Sequence, residues 1–171
     1  MKWASSVVLL AGLLSCNRPL NTSQTDSVAS RISPLIASGN QEAILDHFEY
    51  PETTDVERSR DRAGVRKLLS ILYSDFGSIE QMSRSKSLPN ALDLLVAPGT
   101  VEQLNRKESF KRYIYDAKFT KYGDGYVYID VSKRLDGKFG LRSVSFALPL
   151  GRSETAGRIR TTSQRMIETL K

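Results

Sequence analysis

Residues 112 to 148 decide the fold, with the sequence RYIYDAKFTKYGDGYVYIDVSKRLDGKFGLRSVSFAL. The first part of this stretch alternates apolar and polar side chains, which is typical of a strand with one buried face. The apolar members of that alternation are Tyr113, Tyr115, Ala117 and Phe119. Turns are predicted at Gly123-Asp124-Gly125 and at Asp136-Gly137, a dipeptide that favours tight hairpins. The stretch therefore predicts three consecutive antiparallel strands, at residues 112–120, 126–131 and 141–148.

Helical patterns lie mostly before these strands. Asp26 or Ser27 is the predicted cap of a first helix, a second short helix includes His47, and a third spans residues 54 to 73. Residues 79 to 83 fit a strand, and residues 153 to 171 fit a C-terminal helix. Residues 84 to 109 stay unassigned, apart from a short helix predicted at residues 100–103. This order predicts an α+β domain, in which N-terminal helices pack on a curled antiparallel sheet.

The order of elements over residues 27 to 150 resembles the cystatin-like or NTF2-like architecture. In that family, helices fill the concave side of a bent sheet. The space between helices and sheet often binds small molecules or partners, and some members are enzymes. The resemblance therefore implies a pocket at this place, but it implies no particular activity because one fold supports many functions.

The N-terminus has the pattern of an export signal. Lys2 precedes an apolar run over residues 4 to 14, and a cationic start with a short apolar run is typical of a cleaved leader. The run is too short to span a bilayer, which requires about 20 residues. It ends at Leu13-Leu14-Ser15-Cys16, which resembles the lipobox of bacterial lipoproteins. The resemblance implies cleavage after Ser15, diacylglycerol on the sulfur of Cys16 and an acyl group on the new amino terminus.

These patterns predict three regions in the chain. Residues 1–15 are a signal peptide, residues 16–26 are the lipidated cysteine and a flexible tether, and residues 27–171 are a single α+β domain. Two or more acyl chains hold a protein stably on a membrane. In the lipoproteins that this sequence resembles, an aspartate after the cysteine retains the protein in the inner membrane. Asn17 stands there instead, so we expect the periplasmic face of the outer membrane rather than the inner membrane.

The composition limits the partners and cofactors. The formal net charge is +6, which favours anionic partners such as lipid headgroups or acidic polymers. Lys and Arg are scattered along the chain, and an envelope location argues against nucleic acid as the partner. Cys16 is the single cysteine, so neither an internal disulfide nor a cysteine-based metal site is expected. The only non-protein groups expected are the acyl chains on Cys16.

Few residues suggest catalysis. His47 is the only histidine, and its apolar neighbours favour a structural role on a helix. Asp116 and Asp130 lie on neighbouring predicted strands, where a carboxylate pair is conceivable, but exposed pairing with Arg112, Lys118 or Lys133 is the simpler interpretation. No phosphate-binding loop is recognisable. The sequence therefore predicts no catalytic residue and no metal ligand.

A partner-binding surface is the alternative to a catalytic site. If the odd-numbered residues from 127 to 131 face the core, then Tyr126 and Tyr128 face away from it, as do Arg112 and Ile114 on the preceding strand. Tyrosine and arginine are enriched in protein interfaces, unless the C-terminal helix covers this face. We therefore expect a non-enzymatic interaction module that contacts an envelope protein or an anionic envelope component. The alternatives are an NTF2-like enzyme and a small-molecule carrier, each with a pocket between helices and sheet.

Overall fold

A computed structural model describes residues 22–50, 54–87, 91–98, 109–149, 164–166 and 168, with the backbone alone described for residues 91–98. Three helices precede a curled sheet of five antiparallel strands, which confirms the predicted α+β class. The helices are α1 (Thr22–Ala37), α2 (Gln41–Leu45) and α3 (Asp55–Phe76). The strands are β1 (Ile79–Arg84), β2 (Ala91–Pro98), β3 (Phe110–Phe119), β4 (Gly123–Lys133) and β5 (Phe139–Pro149). Residues 164–166 and 168 are helical.

The sheet has the strand order β1-β3-β4-β5-β2. The predicted meander forms its centre, as β3, β4 and β5 pair in sequence order. β1 adds to the free edge of β3, and β2 adds to the free edge of β5. Strand β2 lies in the stretch that the sequence left unassigned. The short helix predicted at residues 100–103 lies outside the described residues.

The first helix begins earlier than predicted. α1 starts at Thr22, so residues 22–26, which the sequence placed in a flexible tether, are helical. The reason is tertiary: Thr25 is fully buried, and its hydroxyl oxygen accepts a hydrogen bond of 2.6 Å from the hydroxyl of Tyr113 on β3. Packing of this turn against the sheet stabilises the helix here, although the sequence of residues 22–26 has no helical pattern of its own.

The turns of the meander also differ slightly from the prediction. β4 begins at Gly123, so the turn falls at residues 120–122 rather than at Gly123-Asp124-Gly125. The hairpin between β4 and β5 has a five-residue loop, residues 134–138, in which Gly137 has a φ of 83°. The predicted hairpin is thus confirmed, with glycine at the position where a side chain would strain the backbone.

One face of the sheet carries the core. The alternating residues predicted on β3, from Tyr113 to Phe119, are all buried there. Val127, Ile129 and Val131 extend the same face on β4, as predicted. α1, α2 and α3 cover it, and their fully buried side chains include Ile32, Ile36, Ile44, Leu45, Leu69 and Leu72. The space between helices and sheet is therefore occupied by side chains of the protein.

The C-terminal helical residues pack against α3. Arg165 Nη1 lies 2.8 Å from a carboxylate oxygen of Asp75, and Met166 is buried in the hydrophobic core. These contacts place this part of the helix beside α3. They do not place it on the sheet face that carries Tyr126 and Tyr128.

The segment after α2 is joined to the β4–β5 hairpin. Leu141 N–H donates a 2.9 Å hydrogen bond to the carbonyl of His47, within an isolated parallel bridge between Phe48 and Leu141. The buried carboxylate of Glu49 accepts a 2.6 Å hydrogen bond from Leu135 N–H in the hairpin loop. His47 therefore lies beyond α2, in a turn, and not on a helix as predicted.

Candidate interaction surface

The four predicted partner-binding residues share the outer face of the sheet, opposite the core. Ile114 lies directly across from Tyr128 in the β3–β4 register, and Arg112 lies across from Asp130. Arg112 and Tyr126 are accessible, Ile114 is half-buried, and Tyr128 is only 5% exposed. The structure thus brings the four residues together on one face. Tyr128 supports its neighbours there rather than offering its own side chain to a partner.

A buried polar cluster occupies the centre of this face. Arg112 donates two hydrogen bonds, of 2.8 and 2.9 Å, to the two carboxylate oxygens of Asp130. The hydroxyl of Ser143 on β5 donates a third, of 2.8 Å, to the same carboxylate. The Asp130 side chain is 6% exposed and that of Arg112 is 35% exposed. Such a bidentate pair is geometrically specific, and it fixes the arginine on the face.

Aromatic rings hold the arginines of this cluster in place. The guanidinium of Arg112 lies 5.1 Å from the ring centroid of Tyr128 and 5.7 Å from that of Phe110. The guanidinium of Arg142 lies 4.8 Å from the Phe110 ring. Stacking of a guanidinium on an aromatic ring stabilises the arrangement, and the effect is larger where water is excluded. Phe110 and the two arginines therefore form one stacked unit at the first residues of β3.

Asp116 and Asp130, which lie on neighbouring predicted strands, are not close to each other in the structure. Asp130 pairs with Arg112, as the simpler interpretation held, but its predicted exposure to solvent is wrong because it is buried among the polar residues of the cluster. Asp116 is exposed and lies opposite Tyr126. Asp130 lies opposite Arg112 in the β3–β4 register, and Arg112 is four positions along β3 from Asp116. The two carboxylates therefore do not flank a common cleft.

An open groove of 410 Å³ continues the outer face toward the β3–β4 turn. β1, β3 and β4 each contribute part of its lining, and the side chains that define it are Gln81, Ser83, Asp116, Lys118, Asp124 and Tyr126. Polar groups predominate, and two carboxylates face one lysine whose ammonium is also 3.0 Å from Glu80. The groove is suited to hydrogen bonding with a polar partner, and it differs from the apolar pocket that a small-molecule carrier would need.

His47 is half-buried at the edge of the core, away from this face. Partial burial lowers the pKa of its imidazole, and the charges of Arg31 and Arg134 lower the pKa further, whereas Asp46 raises it. The shift follows from desolvation and two nearby cations. It favours the neutral form of the His47 imidazole.

The sequence missed the members of the buried cluster on β5. Arg142, Ser143 and Ser145 are all buried, although these residue types are mostly exposed in proteins. A signal was available: polar residues alternate with Val144 and Phe146, so the strand has one apolar and one polar face. The alternation predicts the faces, but it does not predict that the polar face is buried.

Two serines of this strand give a test of the cluster. Ser143 and Ser145 are each 1% exposed, but within the part of the chain that the structure describes only Ser143 Oγ has a hydrogen-bond partner. We expect Ser145→Ala to raise the free energy of unfolding by about 1 kcal/mol, since it removes a buried hydroxyl that makes no bond. Ser143→Ala should lower it by about 2 kcal/mol, since Asp130 loses a charge-assisted bond. Urea denaturation measures both, and equal losses would contradict the assignment.

Comparisons with known proteins identify no relative. No family model matches the chain, and no curated protein or solved structure is significantly similar to it. Within the described ranges, no three His, Cys, Asp or Glu side chains come together as a metal site. None of the helices in the described part of the chain combines the length and hydrophobicity that crossing a membrane requires.

Proposed function

We propose that the protein is a bacterial envelope lipoprotein, anchored to the membrane through Cys16, that acts as a non-enzymatic binding module. The observation that carries the proposal is the sequence Leu13-Leu14-Ser15-Cys16 at the end of an apolar run that follows Lys2. Signal cleavage after Ser15 and acylation of Cys16 leave a domain tied to the membrane by lipid. The periplasmic face of the outer membrane is the proposed location.

The position of α1 supports a short connection between lipid and domain. α1 begins at Thr22, six residues after Cys16, and a chain of that length spans at most about 22 Å. The domain would therefore lie close to the membrane surface, which limits its partners to components within reach of that surface.

The partner-binding surface proposed is the outer sheet face. Arg112 and Tyr126 are its accessible members, Ile114 is partly accessible, and Tyr128 packs beneath Arg112. The groove beside Tyr126 offers carboxylate, amide and hydroxyl groups to a polar segment of an envelope protein. A preorganised arginine and a half-exposed tyrosine on one sheet face are favourable contacts for a protein partner.

The second candidate is an enzyme or carrier of the NTF2-like type. It requires a pocket between the helices and the sheet. Fully buried side chains such as Tyr113 and Phe146 fill that space in the described part of the chain. Asp116 lines an open polar groove on the other face. These placements favour the binding module over the second candidate.

Intact-mass analysis of the membrane-extracted protein tests the anchor. We expect wild type to lack residues 1–15 and to carry acyl groups, and we expect the Cys16→Ser variant to carry none and to leave the membrane fraction. Ser5→Ala, a change within the leader that keeps the motif, is the matched control and should be processed like wild type. An unacylated wild-type mass would refute the lipoprotein assignment.

A further inference from the structure

Exposed apolar side chains collect at one end of the sheet. Two of the three large hydrophobic residues that are exposed in the described part of the chain lie there, Phe110 at 43% and Leu135 at 67%. Phe110 pairs with Ser132 at the end of the β3–β4 ladder, and Leu135 follows in the loop that leaves β4. We call Phe110, Lys133, Arg134, Leu135 and Lys138 the hairpin end.

Positive charge surrounds these apolar residues. Lys133 and Lys138 are exposed on either side of the loop, and Arg134 is half-buried beneath it. Arg134 Nε lies 3.8 Å from a carboxylate oxygen of Asp136, and the buried carboxylate of Glu49 accepts a hydrogen bond from Leu135 N–H. With Lys133 and Lys138 exposed, these five charged groups leave one net positive charge at the loop. Cations that flank exposed apolar side chains match an anionic lipid surface, since the apolar groups enter the boundary while the cations meet the headgroups.

The start of α1, to which the proposed anchor leads, lies at this same end. In the first turns of α1, a carboxylate oxygen of Asp26 lies 3.3 Å from the ammonium of Lys111, the residue next to Phe110. The chain from Thr22 back to Cys16 is short enough to keep the acyl chains within about 22 Å of the helix start. A lipid anchored at Cys16 would therefore hold the membrane within reach of the hairpin end.

We propose that the hairpin end docks on anionic lipid headgroups of the membrane to which Cys16 is anchored. This inference rests on the proposed lipid anchor and adds an orientation to it. Leu135 and Phe110 enter the lipid boundary, and Lys133 and Lys138 pair with headgroups. The groove beside Tyr126 lies toward the other end of the same sheet face, about 20 Å from Ser132 along β4, and it stays open to a partner.

A tryptophan reporter tests the docking. The only tryptophan is Trp3, which signal cleavage removes, so Leu135→Trp introduces a single reporter at the hairpin end. Asp124→Trp, exposed at the far end of β4, is the matched control. The lipidated proteins are reconstituted in vesicles of phosphatidylcholine mixed with an equal amount of phosphatidylglycerol, with and without bromine on the acyl chains. We expect blue-shifted, bromine-quenched emission from Leu135→Trp and solvent-like emission from Asp124→Trp.

Neutralised variants test the role of charge. Each cationic side chain near an anionic surface strengthens binding about fivefold, so Lys133→Gln with Lys138→Gln should shift the docking equilibrium of Leu135→Trp about thirtyfold toward the undocked state. Vesicles of phosphatidylcholine alone should give the same loss. Equal quenching in both kinds of vesicle would overturn the anionic headgroup as the partner.

The remaining outcomes separate this inference from the proposed function. If the proteins float with the vesicles but both reporters give solvent-like emission, the anchor stands and the docking is refuted. If the proteins do not float at all, the lipoprotein assignment fails and the docking fails with it. Crosslinking of residue 135 to an envelope protein, without quenching by brominated lipid, would assign the hairpin end to a protein partner and overturn the proposal.

Discussion

Phe146→Ala is expected to lower the free energy of unfolding by about 3 to 5 kcal/mol. Phe146 is fully buried on β5, and its ring contacts those of Tyr73, Phe76 and Phe119 at centroid distances of 5.3, 5.4 and 5.1 Å. Truncation removes these aromatic contacts and leaves a cavity where α3 meets the sheet, which close-packed neighbours fill only in part. A domain of this size has about 5 to 15 kcal/mol of stability, so the loss is a large share of the total.

Phe110→Ala is the matched control for this prediction. It makes the same chemical change on the same sheet, but at a side chain that is 43% exposed. We expect a smaller loss of about 1 to 2 kcal/mol, because the ring keeps much of its apolar area in water on folding and leaves no comparable cavity when it is removed. Guanidinium denaturation of both variants with far-UV circular dichroism provides the measurement. A loss for Phe146→Ala no larger than that for Phe110→Ala would mean that close packing around Phe146 is not the main source of its contribution.

Gly77→Ala is the second large effect, with an expected loss of about 3 kcal/mol. Gly77 ends α3 with φ 82° and ψ −169°, a backbone conformation that is almost restricted to glycine. A Cβ atom there would also overlap Oγ1 of Thr120 and lie 3.1 Å from Cγ of Lys121. The backbone strain and the overlap both act where α3 joins β1 and the β3–β4 turn.

Gly64→Ala should have the opposite sign. Gly64 lies inside α3, and nothing is within 4 Å of the position that its Cβ would occupy. Alanine there should stabilise the protein by about 0.5 to 1 kcal/mol, because it favours the helix and restricts the unfolded chain. Thermal unfolding of the two variants compares the same substitution in two backbone conformations. A loss at both glycines would show that α3 tolerates no added methyl group, which would contradict the interpretation of Gly77.

The centre of the fold was predictable because alternation has an unambiguous physical cause. In a strand, every second side chain faces the core, so Tyr113 and Val127 were assigned to the buried face from spacing alone. The start of α1 was not predictable in this way. Residues 22–26 are polar and carry no helical pattern, and they become helical because Thr25 is buried against Tyr113. A contact between residues 88 positions apart leaves no local signal.

The sequence predicted which residues share the outer face of the sheet, but it did not predict how exposed each side chain is. Spacing placed Arg112, Ile114, Tyr126 and Tyr128 together, and the strand register bears this out. Their exposure depends on what surrounds each side chain in three dimensions, so the burial of Tyr128 could not be deduced from alternation. The same limit applies to Asp130, whose two partners, Arg112 and Ser143, come from the strands on either side of it. These bonds join residues of three strands, so they exist only once β3, β4 and β5 have paired in register.

The contacts of α1 with late strands have a consequence for the order in which the chain folds. Thr25 meets Tyr113, and Phe48 meets Leu141, so the N-terminal segments complete their packing only after most of the chain has been synthesised. Until then, the apolar side of α1, with Ile32 and Ile36, has no sheet to cover it. Such distant pairings make folding slow and leave partly folded chains prone to aggregation. A nascent chain of this protein therefore stays open to aggregation until β5 has been made, and we expect late truncations to aggregate rather than yield a smaller folded domain.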